Sequence, residues 1–231
     1  MQWNDNIINN LNWSGEIINR ENKEVVARNI ASMAKDGDTI GVGSGSTVYL
    51  ALIAIAERIK KEQLRIFVIP SSIEASMTCI QLGIPQTTLL DRKPDWTFDG
   101  ADEVDPNKNL IKGRGGAMFK EKLLIRSSAI TYIIVDSSKL VNKLGHKFPI
   151  PVEVFPLALT SVDNEMKKLG ARETHLRMAK GKDGPIVTEN GNLILDTWFD
   201  EINIELERNI KSVTGVIESG LFIGYNVNII V

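Results

Sequence analysis

A turn rich in glycine and hydroxyl residues could bind a phosphate group. It lies between a β-prone segment and a predicted helix, and it consists of Gly43, Ser44, Gly45, Ser46 and Thr47. Backbone N–H groups at a helix N-terminus, together with these hydroxyls, can bind an anion. The turn lacks the lysine of a nucleotide P-loop and the full dinucleotide fingerprint, so neither ATP nor NAD is favoured. A tight turn that only packs a helix on a strand is the alternative.

An acidic run could supply proton-transfer chemistry. Four carboxylates lie within the seven residues from Asp99 to Asp105, directly after an apolar segment. Crowded carboxylates can raise one another's pKa, which would leave one of them able to exchange protons near neutral pH. An EF-hand calcium loop is disfavoured because such a loop spaces its oxygen ligands over about 12 residues and closes with a glutamate. An exposed acidic turn without chemistry is the alternative.

A second glycine-rich turn carries basic residues. Lys112 and Arg114 lie on this turn, and Glu121 lies one helical turn inside the helix predicted to follow. A lysine on such a turn suggests a bound anion, and the helix dipole favours a carboxylate near the helix start. The neighbouring Lys120 and Lys122 could face solvent. Taken alone, Glu121 would be an ordinary surface residue.

The remaining candidates are weaker. Lys139 follows another predicted strand and adds a cation, although a lone lysine in such a position is usually solvated. The two histidines, His146 and His175, lie outside these turns, which disfavours histidine-based catalysis. A serine nucleophile would need a base and an orienting acid, and no Gly-x-Ser-x-Gly elbow with a later histidine in the right setting is present. A hydrolase is therefore a poor third choice.

Strands and helices alternate along the first two-thirds of the chain. Short β-prone runs near residues 39–42, 65–69, 95–98 and 131–135 are separated by helical patterns near 23–34, 46–61, 73–82 and 117–128. This alternation predicts an α/β fold with a doubly wound, mostly parallel, Rossmann-like sheet. Active sites of such sheets lie at the carboxyl ends of the strands. We therefore expect one cleft to be lined by the groups that follow strands, namely residues 44–47, Ser71, Ser72, residues 99–102, Lys112 and Lys139.

The composition of the chain changes near His146. Residues 148–156 contain three prolines among β-branched residues, which suits an edge strand entering a new unit. A helix near 157–169 and strands near 171–178 and 191–196 indicate a smaller α+β domain. The predicted domains are an N-terminal extension (1–22), which is loosely attached or docked by Trp3 and Trp13, a catalytic domain (23–147 plus 220–231) and a small domain (148–219).

Composition excludes several classes of protein. With 231 residues, 43% hydrophobic and 24% charged, the chain is typical of a globular protein. The formal net charge of −2 gives no electrostatic case for nucleic acid. The single cysteine, Cys79, excludes an intramolecular disulfide and a multi-cysteine metal site, and it fits a cytoplasmic setting. We expect neither a signal peptide nor a membrane span, because the apolar stretches are far shorter than roughly 20 residues.

Four motifs, taken in order, closely resemble those of the type A ribose-5-phosphate isomerases. The resemblance runs from about Lys23 to the C-terminus and rests on Gly41–Thr47, Asp99–Glu103, Leu110–Ala117 and Phe148–Val154. It implies interconversion of ribose 5-phosphate and ribulose 5-phosphate in the pentose phosphate pathway, without metal or cofactor. It also implies a homodimer or homotetramer, with a sugar phosphate as the small-molecule partner and neither nucleic acid nor membrane.

The resemblance also implies roles for individual residues. Glu121 matches the family's catalytic base, Lys112 would stabilise the enediolate, and Asp99 and Asp102 would manage hydroxyl protons and help to open the furanose ring. The implied binding residues are Lys23, Ser44, Gly45, Ser46, Thr47, Gly100, Ala101, Gly113, Arg114, Gly115 and Lys139. Two positions depart from the family pattern: Lys120 replaces the arginine of an Arg-Glu-Lys motif, and Arg114 replaces a glycine of the turn.

Two rival functions share a related fold. One is a non-catalytic sugar-phosphate sensor like the effector domains of some transcription regulators, although no helix-turn-helix motif precedes the sheet. The other is a CoA transferase-like enzyme with a glutamate nucleophile, which a CoA thioester intermediate would reveal.

Overall fold

The computed structural model describes residues 7–11, 13 and 16–231, and within it the chain forms two compact units. Unit 1 comprises Met1–Gly100, Leu123–Ser137 and Val227–Val231, and unit 2 comprises Ala101–Lys122 and Ser138–Asn226. The predicted domain boundaries stay a prediction, and compactness places residues 101–122 and 138–147 in unit 2.

The regular elements have the following bounds. The helices are α1 (Arg20–Ser32), α2 (Ser46–Glu62), α3 (Ile73–Leu82), α4 (Met118–Ser127), α5 (Leu159–Lys168) and α6 (Leu206–Ser212). The strands are β1 (Thr39–Val42), β2 (Phe67–Pro70), β3 (Trp96–Asp99), β4 (Glu103–Val104), β5 (Leu110–Ile111), β6 (Ile130–Ile134), β7 (Ile150–Val154), β8 (Ala171–Leu176), β9 (Leu193–Phe199), β10 (Val216–Ser219), β11 (Leu221–Phe222) and β12 (Val227–Ile230).

Unit 1 is built on a five-stranded parallel sheet. Its strand order is β12-β6-β3-β1-β2, and every pairing is parallel. All four residues of β1 are buried, as expected for a parallel strand covered on both faces. The core includes Ile30 of α1, Ile55 of α2 and Phe98 of β3, each with 0% exposure. This sheet confirms the predicted α/β fold, and β12 is the part of the C-terminal segment that returns to it.

Unit 2 contains two antiparallel sheets. A four-stranded sheet has the order β10-β7-β9-β8, and a three-stranded sheet has the order β11-β5-β4. The core of unit 2 contains Val152 of β7, Val162 and Met166 of α5, and Ile210 of α6. The smaller α+β part of the predicted fold is therefore present.

The expectation that the proline-rich strand lies at a sheet edge is wrong. Strand β7 lies between β10 and β9. Its Pro151 is tolerated because it lies opposite Gly220, just beyond the end of β10. The carbonyl of Pro151 accepts a hydrogen bond from Gly220 N (2.7 Å), and Gly220 O accepts the N–H of Lys112 (2.8 Å) in place of the N–H that proline lacks.

The placement of Lys112 after a strand of the parallel sheet is also wrong. Lys112 follows β5, which pairs antiparallel with β4 and β11. These strands have two residues each. Strands this short carry no alternation pattern from which their direction could be predicted.

The described part of the N-terminal segment belongs to unit 1 and packs on its helices α2 and α3. A 3₁₀ helix spans Ile7–Asn10, and the carbonyl of Leu11 accepts a hydrogen bond from Gln81 Nε2 (2.6 Å). The ring of Trp13 lies 5.0 Å from that of Tyr49, as docking by this tryptophan requires. Trp3 lies outside the described residues. Among the helices described here, none has the length and apolar character that a bilayer crossing needs.

Candidate active site

The glycine–serine turn of unit 1 lies between the carboxyl end of β1 and the first residue of α2. Gly43 donates its N–H to Phe98 O (2.9 Å). A Cβ at this position would lie 1.9 Å from Asp99 Oδ1, so only glycine lets the turn approach β3 this closely. Gly45 precedes α2 with φ of 100°, a conformation that side-chain-bearing residues rarely adopt. The first turn of α2 therefore begins at Ser46, directly after the glycine turn.

Asp99 is packed against this turn. Its carboxylate is 1% exposed, and Oδ1 accepts hydrogen bonds from the N–H groups of Ser44 (3.2 Å) and Gly100 (2.7 Å). The Ser44 N–H is thereby hydrogen-bonded within the protein, and it is not part of the predicted anion cradle. Thr47 itself is buried.

A buried lysine lies at the same helix start. Lys23 of α1 places Nζ 3.1 Å from Ser46 Oγ and 3.7 Å from Asp136 Oδ2. Asn19, which precedes α1 with φ of 55°, donates from Nδ2 to Asp136 Oδ1 (3.2 Å). The structure thus brings together Lys23 and Ser46, two residues to which the resemblance assigned phosphate binding. Sequence reasoning missed Asn19, since its partner is 117 residues away.

Unit 2 contains a buried ion pair. Lys112 Nζ lies 3.3 Å from Glu121 Oε2, and the two side chains are 3% and 5% exposed. Lys112 Nζ also lies 5.9 Å from the centroid of the Phe222 ring. A Cβ at position 220 would lie 2.0 Å from Lys112 O, so Gly220 is needed for the backbone of Lys112 to sit where it does. The two residues singled out on either side of the second glycine turn are therefore in contact.

Asp102 interacts electrostatically with both members of this ion pair. Its Oδ2 accepts the N–H of Arg114 (3.2 Å). Burial raises the pKa of Asp102 above its ordinary value, against the lowering effects of Lys112, the Arg114 N–H and Lys139, and the negative charge of Glu121 adds to the rise. The pKa of one carboxyl in the acidic run is thus raised, but by burial and by Glu121, which lies outside the run, and not by the neighbouring carboxylates that the sequence suggested.

Glu103 and Asp105, the other two carboxylates of the acidic run in unit 2, bind backbone and amide groups of nearby loops. Glu103 is 0% exposed and accepts the N–H groups of Gly145 (2.7 Å), Lys147 (2.5 Å) and Phe148 (2.8 Å). Asp105 accepts the backbone N–H (2.8 Å) and side-chain amide (2.9 Å) of Asn109. Glu103 and Asp105 therefore stabilise loops. Their closeness to Asp102 in the sequence suggested more crowding of carboxylates than their hydrogen bonds show.

The suggestion that both lysines beside Glu121 could face solvent is wrong for Lys122. Lys122 is 2% exposed, and Nζ lies 2.9 Å from each of Glu207 Oε1, Glu218 Oε1 and Leu221 O. Lys120 is the more exposed of the two and pairs with Glu189 (2.9 Å). The partners of Lys122 lie 85 to 99 residues further along the chain, so no local pattern indicated its burial.

The remaining predicted binding residues lie outside the strands and α-helices, Lys139 in a short 3₁₀ helix. Gly113 is buried with φ of 93°, while Arg114 and Gly115 are exposed. Arg114 and Lys139 lie over the Phe148 ring, with centroid distances of 5.6 and 5.3 Å. Ala101 is half-buried. In unit 1, a Cβ at Gly100 would lie 3.7 Å from Ser44 O, an ordinary contact.

Of the two serines after β2, Ser72 caps a helix. Ser72 Oγ accepts the N–H of Ala75 (3.0 Å), which makes Ser72 the N-cap of α3. The imidazole of His175 is exposed beside Glu173. In the part of the chain that the structure describes, no cluster of three or more His, Cys, Asp or Glu residues has the arrangement of a metal site.

One contact to the second glycine turn was not predicted at all. Arg177 donates from Nη1 to Gly113 O (3.1 Å) and Arg114 O (2.9 Å). The other edge of its guanidinium is bound by both carboxylate oxygens of Asp196. Arg177 lies outside every motif, and no sequence signal pointed to it.

Comparison with known proteins places these features in context. The family model described as ribose 5-phosphate isomerase A (phosphoriboisomerase A) matches residues 67–231. Ribose-5-phosphate isomerase A of Thermosynechococcus vestitus is 45% identical over 208 residues, covering 88% of both chains. The corresponding protein of Methanocaldococcus jannaschii is 43% identical over 206 residues, covering 88% of this chain and 91% of that protein.

Solved structures agree with the sequence comparison. The structure of ribose 5-phosphate isomerase A from Methanocaldococcus jannaschii has a TM-score of 0.88 and 41% identity, covering 91% of this chain and 94% of that one. A D-ribose-5-phosphate isomerase in complex with phospho-erythronic acid has a TM-score of 0.87 and 36% identity over 91% and 94% of the two chains. These relatives are named as isomerases, which does not favour a non-catalytic sensor.

Proposed function

Because this chain belongs to the ribose 5-phosphate isomerase A family, we propose that it interconverts D-ribose 5-phosphate and D-ribulose 5-phosphate by proton transfer through an enediolate. The observation that carries the chemistry is the buried pair of Lys112 and Glu121, with 3.3 Å between Nζ and Oε2. It places a potential base next to a cation where water is excluded, and charge–charge interactions are strong in such surroundings.

The proton transfer uses both members of this pair. Glu121 removes the proton from C2 of the open-chain aldose, and the electron pair of the C–H bond forms the C1–C2 double bond while the carbonyl oxygen gains negative charge. Lys112 stabilises that oxyanion. Return of the proton from Glu121 to C1, with the hydroxyl proton moved from O2 to O1, gives the ketose.

We assign the hydroxyl protons and ring opening to Asp99 and Asp102. Because its pKa is raised, Asp102 keeps a larger protonated fraction as pH rises towards neutral than an ordinary aspartate does. A group that both gives and takes protons needs such a fraction. Asp99 enters this proposal through the family resemblance.

Phosphate binding is assigned to the start of α2. Lys23 lies beside Ser46, and the hydroxyls of Ser44 and Thr47 flank the same helix start, where backbone dipoles favour an anion. Gly45 allows close approach of the backbone, as a glycine in this conformation can. The resemblance assigns Lys139 to the phosphate as well, and the turn residues Gly100, Ala101, Gly113, Arg114 and Gly115 to the sugar.

The central test replaces the base. We expect Glu121→Gln to lower kcat by about 10²- to 10⁴-fold in an NMR or coupled assay of ribose 5-phosphate conversion, with KM little changed. Glu165→Gln is the matched control, because Glu165 pairs with Lys168 on the outer side of α5. Near-wild-type turnover of the Glu121 variant would refute the assignment.

A ligand experiment tests the role of Lys112 separately. Phospho-erythronic acid, the compound bound by the related isomerase, carries a carboxylate that resembles an enediolate. We expect it to inhibit competitively and to lose more affinity than substrate does in Lys112→Met, since stabilisation of developing charge favours such an analogue. Equal losses for both compounds would contradict an oxyanion role for Lys112.

The cytoplasmic setting and the homodimer or homotetramer are further proposals. Burial raises the pKa of the single cysteine, Cys79, to about 12, which keeps its thiol protonated and is compatible with the cytoplasmic setting. The family resemblance supports assembly, and light scattering coupled to gel filtration would test it.

A further inference from the structure

Arg177 links the four-stranded sheet of unit 2 to the glycine turn after Lys112. Its backbone is fixed on both sides, since Arg177 N donates to Ile194 O and Arg177 O accepts the N–H of Ile186, each at 2.9 Å. Nε donates to Asp196 Oδ2 at 2.8 Å, and Nη2 donates to Oδ1. The side chains of Arg177 and Asp196 are 15% and 17% exposed. A guanidinium held at both ends of one edge has a defined orientation.

The free edge of this guanidinium binds the turn itself. Nη1 donates to two consecutive carbonyls, those of Gly113 and Arg114. Gly113 O also accepts the N–H of Gly116 (3.0 Å), which closes the turn. The contact therefore fixes the peptide groups on both sides of Arg114.

The peptide group before Arg114 contains the N–H that binds Asp102. Arg114 N donates to Asp102 Oδ2 at 3.2 Å, and this peptide is the one whose carbonyl, Gly113 O, is bound by Arg177. Rotation of that peptide would move its N–H and its carbonyl together, because the amide is planar. Because Arg177 fixes the carbonyl of Gly113, it also fixes the direction of the Arg114 N–H.

We propose that Arg177, oriented by Asp196, is a positioning residue that aims the Arg114 N–H at the carboxylate of Asp102 and so sets the proton affinity of that group. The inference rests on the proposed function only through the role assigned to Asp102. Arg177 acts through the turn and not on the substrate.

The electrostatic surroundings of Asp102 give the direction of the effect. The groups that act on it are Lys112, Lys139 and the Arg114 N–H, which lower its pKa, and Glu121, which raises it. Loss of the aimed N–H removes one of the lowering contributions. We expect the pKa of Asp102 to rise then, and any limb of the pH profile of kcat/KM that Asp102 sets to move to higher pH with it.

The experiment compares Arg177→Met and Arg177→Lys with the wild type. The pKa of Asp102 is measured by ¹³C NMR of its carboxyl group in the substrate-free protein, and kcat/KM is measured across pH. Arg172→Met is the matched control, since Arg172 lies on β8 and its side chain is 52% exposed beside Asp200. We expect a raised Asp102 pKa and a loss in kcat/KM of about 10- to 10²-fold in both Arg177 variants, and neither in the control.

The outcomes separate positioning from simpler explanations. Lysine retains the charge but lacks the planar fork, so full rescue by Arg177→Lys would overturn the proposal in favour of a long-range charge effect. An unchanged Asp102 pKa in Arg177→Met would overturn it as well. If Arg177→Met does not fold, Asp196→Asn serves instead, because it keeps the arginine and loosens its orientation.

The same data distinguish this inference from the proposed function. The NMR titration needs no substrate, so a raised Asp102 pKa supports the positioning role whatever the reaction. Asp102→Asn tests the proposed function on its own, because retention of wild-type turnover would remove Asp102 from the mechanism and leave the titration result intact.

Discussion

At the level of single residues, the proposed chemistry depends on charged groups that burial makes costly. Lys112 and Glu121 are almost completely buried, and each is tolerated because the other lies 3.3 Å away. The sequence pointed to both residues, since a lysine and a glutamate flanked a glycine turn at a predicted helix start. Contact between them was beyond sequence reasoning, because it depends on how the turn folds back on α4.

Asp102 is expected to lower the stability of the protein at neutral pH. Its pKa is raised in the folded state, so the fold favours the protonated form. Stability is therefore lost as pH rises from the ordinary value of 3.8 through the raised value. We expect Asp102→Asn to have a higher Tm than the wild type at pH 7 in calorimetry, with less turnover. The difference in Tm should shrink as the solution is acidified towards the ordinary pKa, and a lower Tm for the variant at pH 7 would contradict this account.

At the level of elements, α4 combines the proposed catalytic base with structural side chains within three consecutive residues. Glu121 faces Lys112, while Lys120 and Lys122 pair with different carboxylates. Sequence periodicity predicted the helix and its approximate bounds. It did not reveal which lysine is buried, because Glu207 and Glu218 arrive from α6 and β10, far along the chain.

The two lysines that flank Glu121 provide a matched pair of variants. Lys122→Met removes the buried cation that Glu207 and Glu218 share and leaves Glu218 the weaker contact with Lys211 (3.5 Å). We expect a loss of about 3–5 kcal/mol in unfolding free energy. Lys120→Met breaks a partly exposed pair and should cost about 0–1 kcal/mol. Urea denaturation of both variants measures the difference. Equal losses would mean that the buried network contributes no more than the surface pair.

The turn after β1 should tolerate no side chain at position 43. A Cβ at Gly43 would meet Asp99 Oδ1 at 1.9 Å, so we expect Gly43→Ala to lower stability by about 1–3 kcal/mol and to displace Asp99 from the Ser44 N–H. Gly181→Ala is the control, because nothing lies within 4 Å of its added Cβ. Calorimetry and turnover together check the prediction, which fails if both variants behave like the wild type.

At the level of the whole molecule, alternation of strands and helices was enough to predict the parallel sheet of unit 1. The strands β1, β2, β3 and β6 lie close to their predicted positions because each is an apolar run between turns. The small sheet of β4, β5 and β11 could not be predicted. Its strands have two residues each, and β11 joins it through pairs more than a hundred positions apart, such as Ile111 and Leu221, which leave no periodicity.

Removal of divalent metal ions should leave the protein unchanged. The proposed mechanism uses carboxylate and ammonium groups for every proton and charge, so we expect kcat and Tm to be the same after dialysis against EDTA. A coupled assay and calorimetry on the same sample make the comparison. Loss of turnover that added magnesium or manganese restores would show that the mechanism lacks a component.

The carboxylate of Glu103 has a consequence for the lifetime of the intact chain. Residues 141–149 contain no helix or strand, and Glu103 holds three backbone amides within this segment. Because one side chain makes all three contacts, we expect the segment to open in a single step instead of fraying residue by residue. Lys143 and Lys147 are exposed within it, and a trypsin-like protease cuts after lysine where the backbone can become extended. We therefore expect Glu103 to protect the chain from cleavage at this segment.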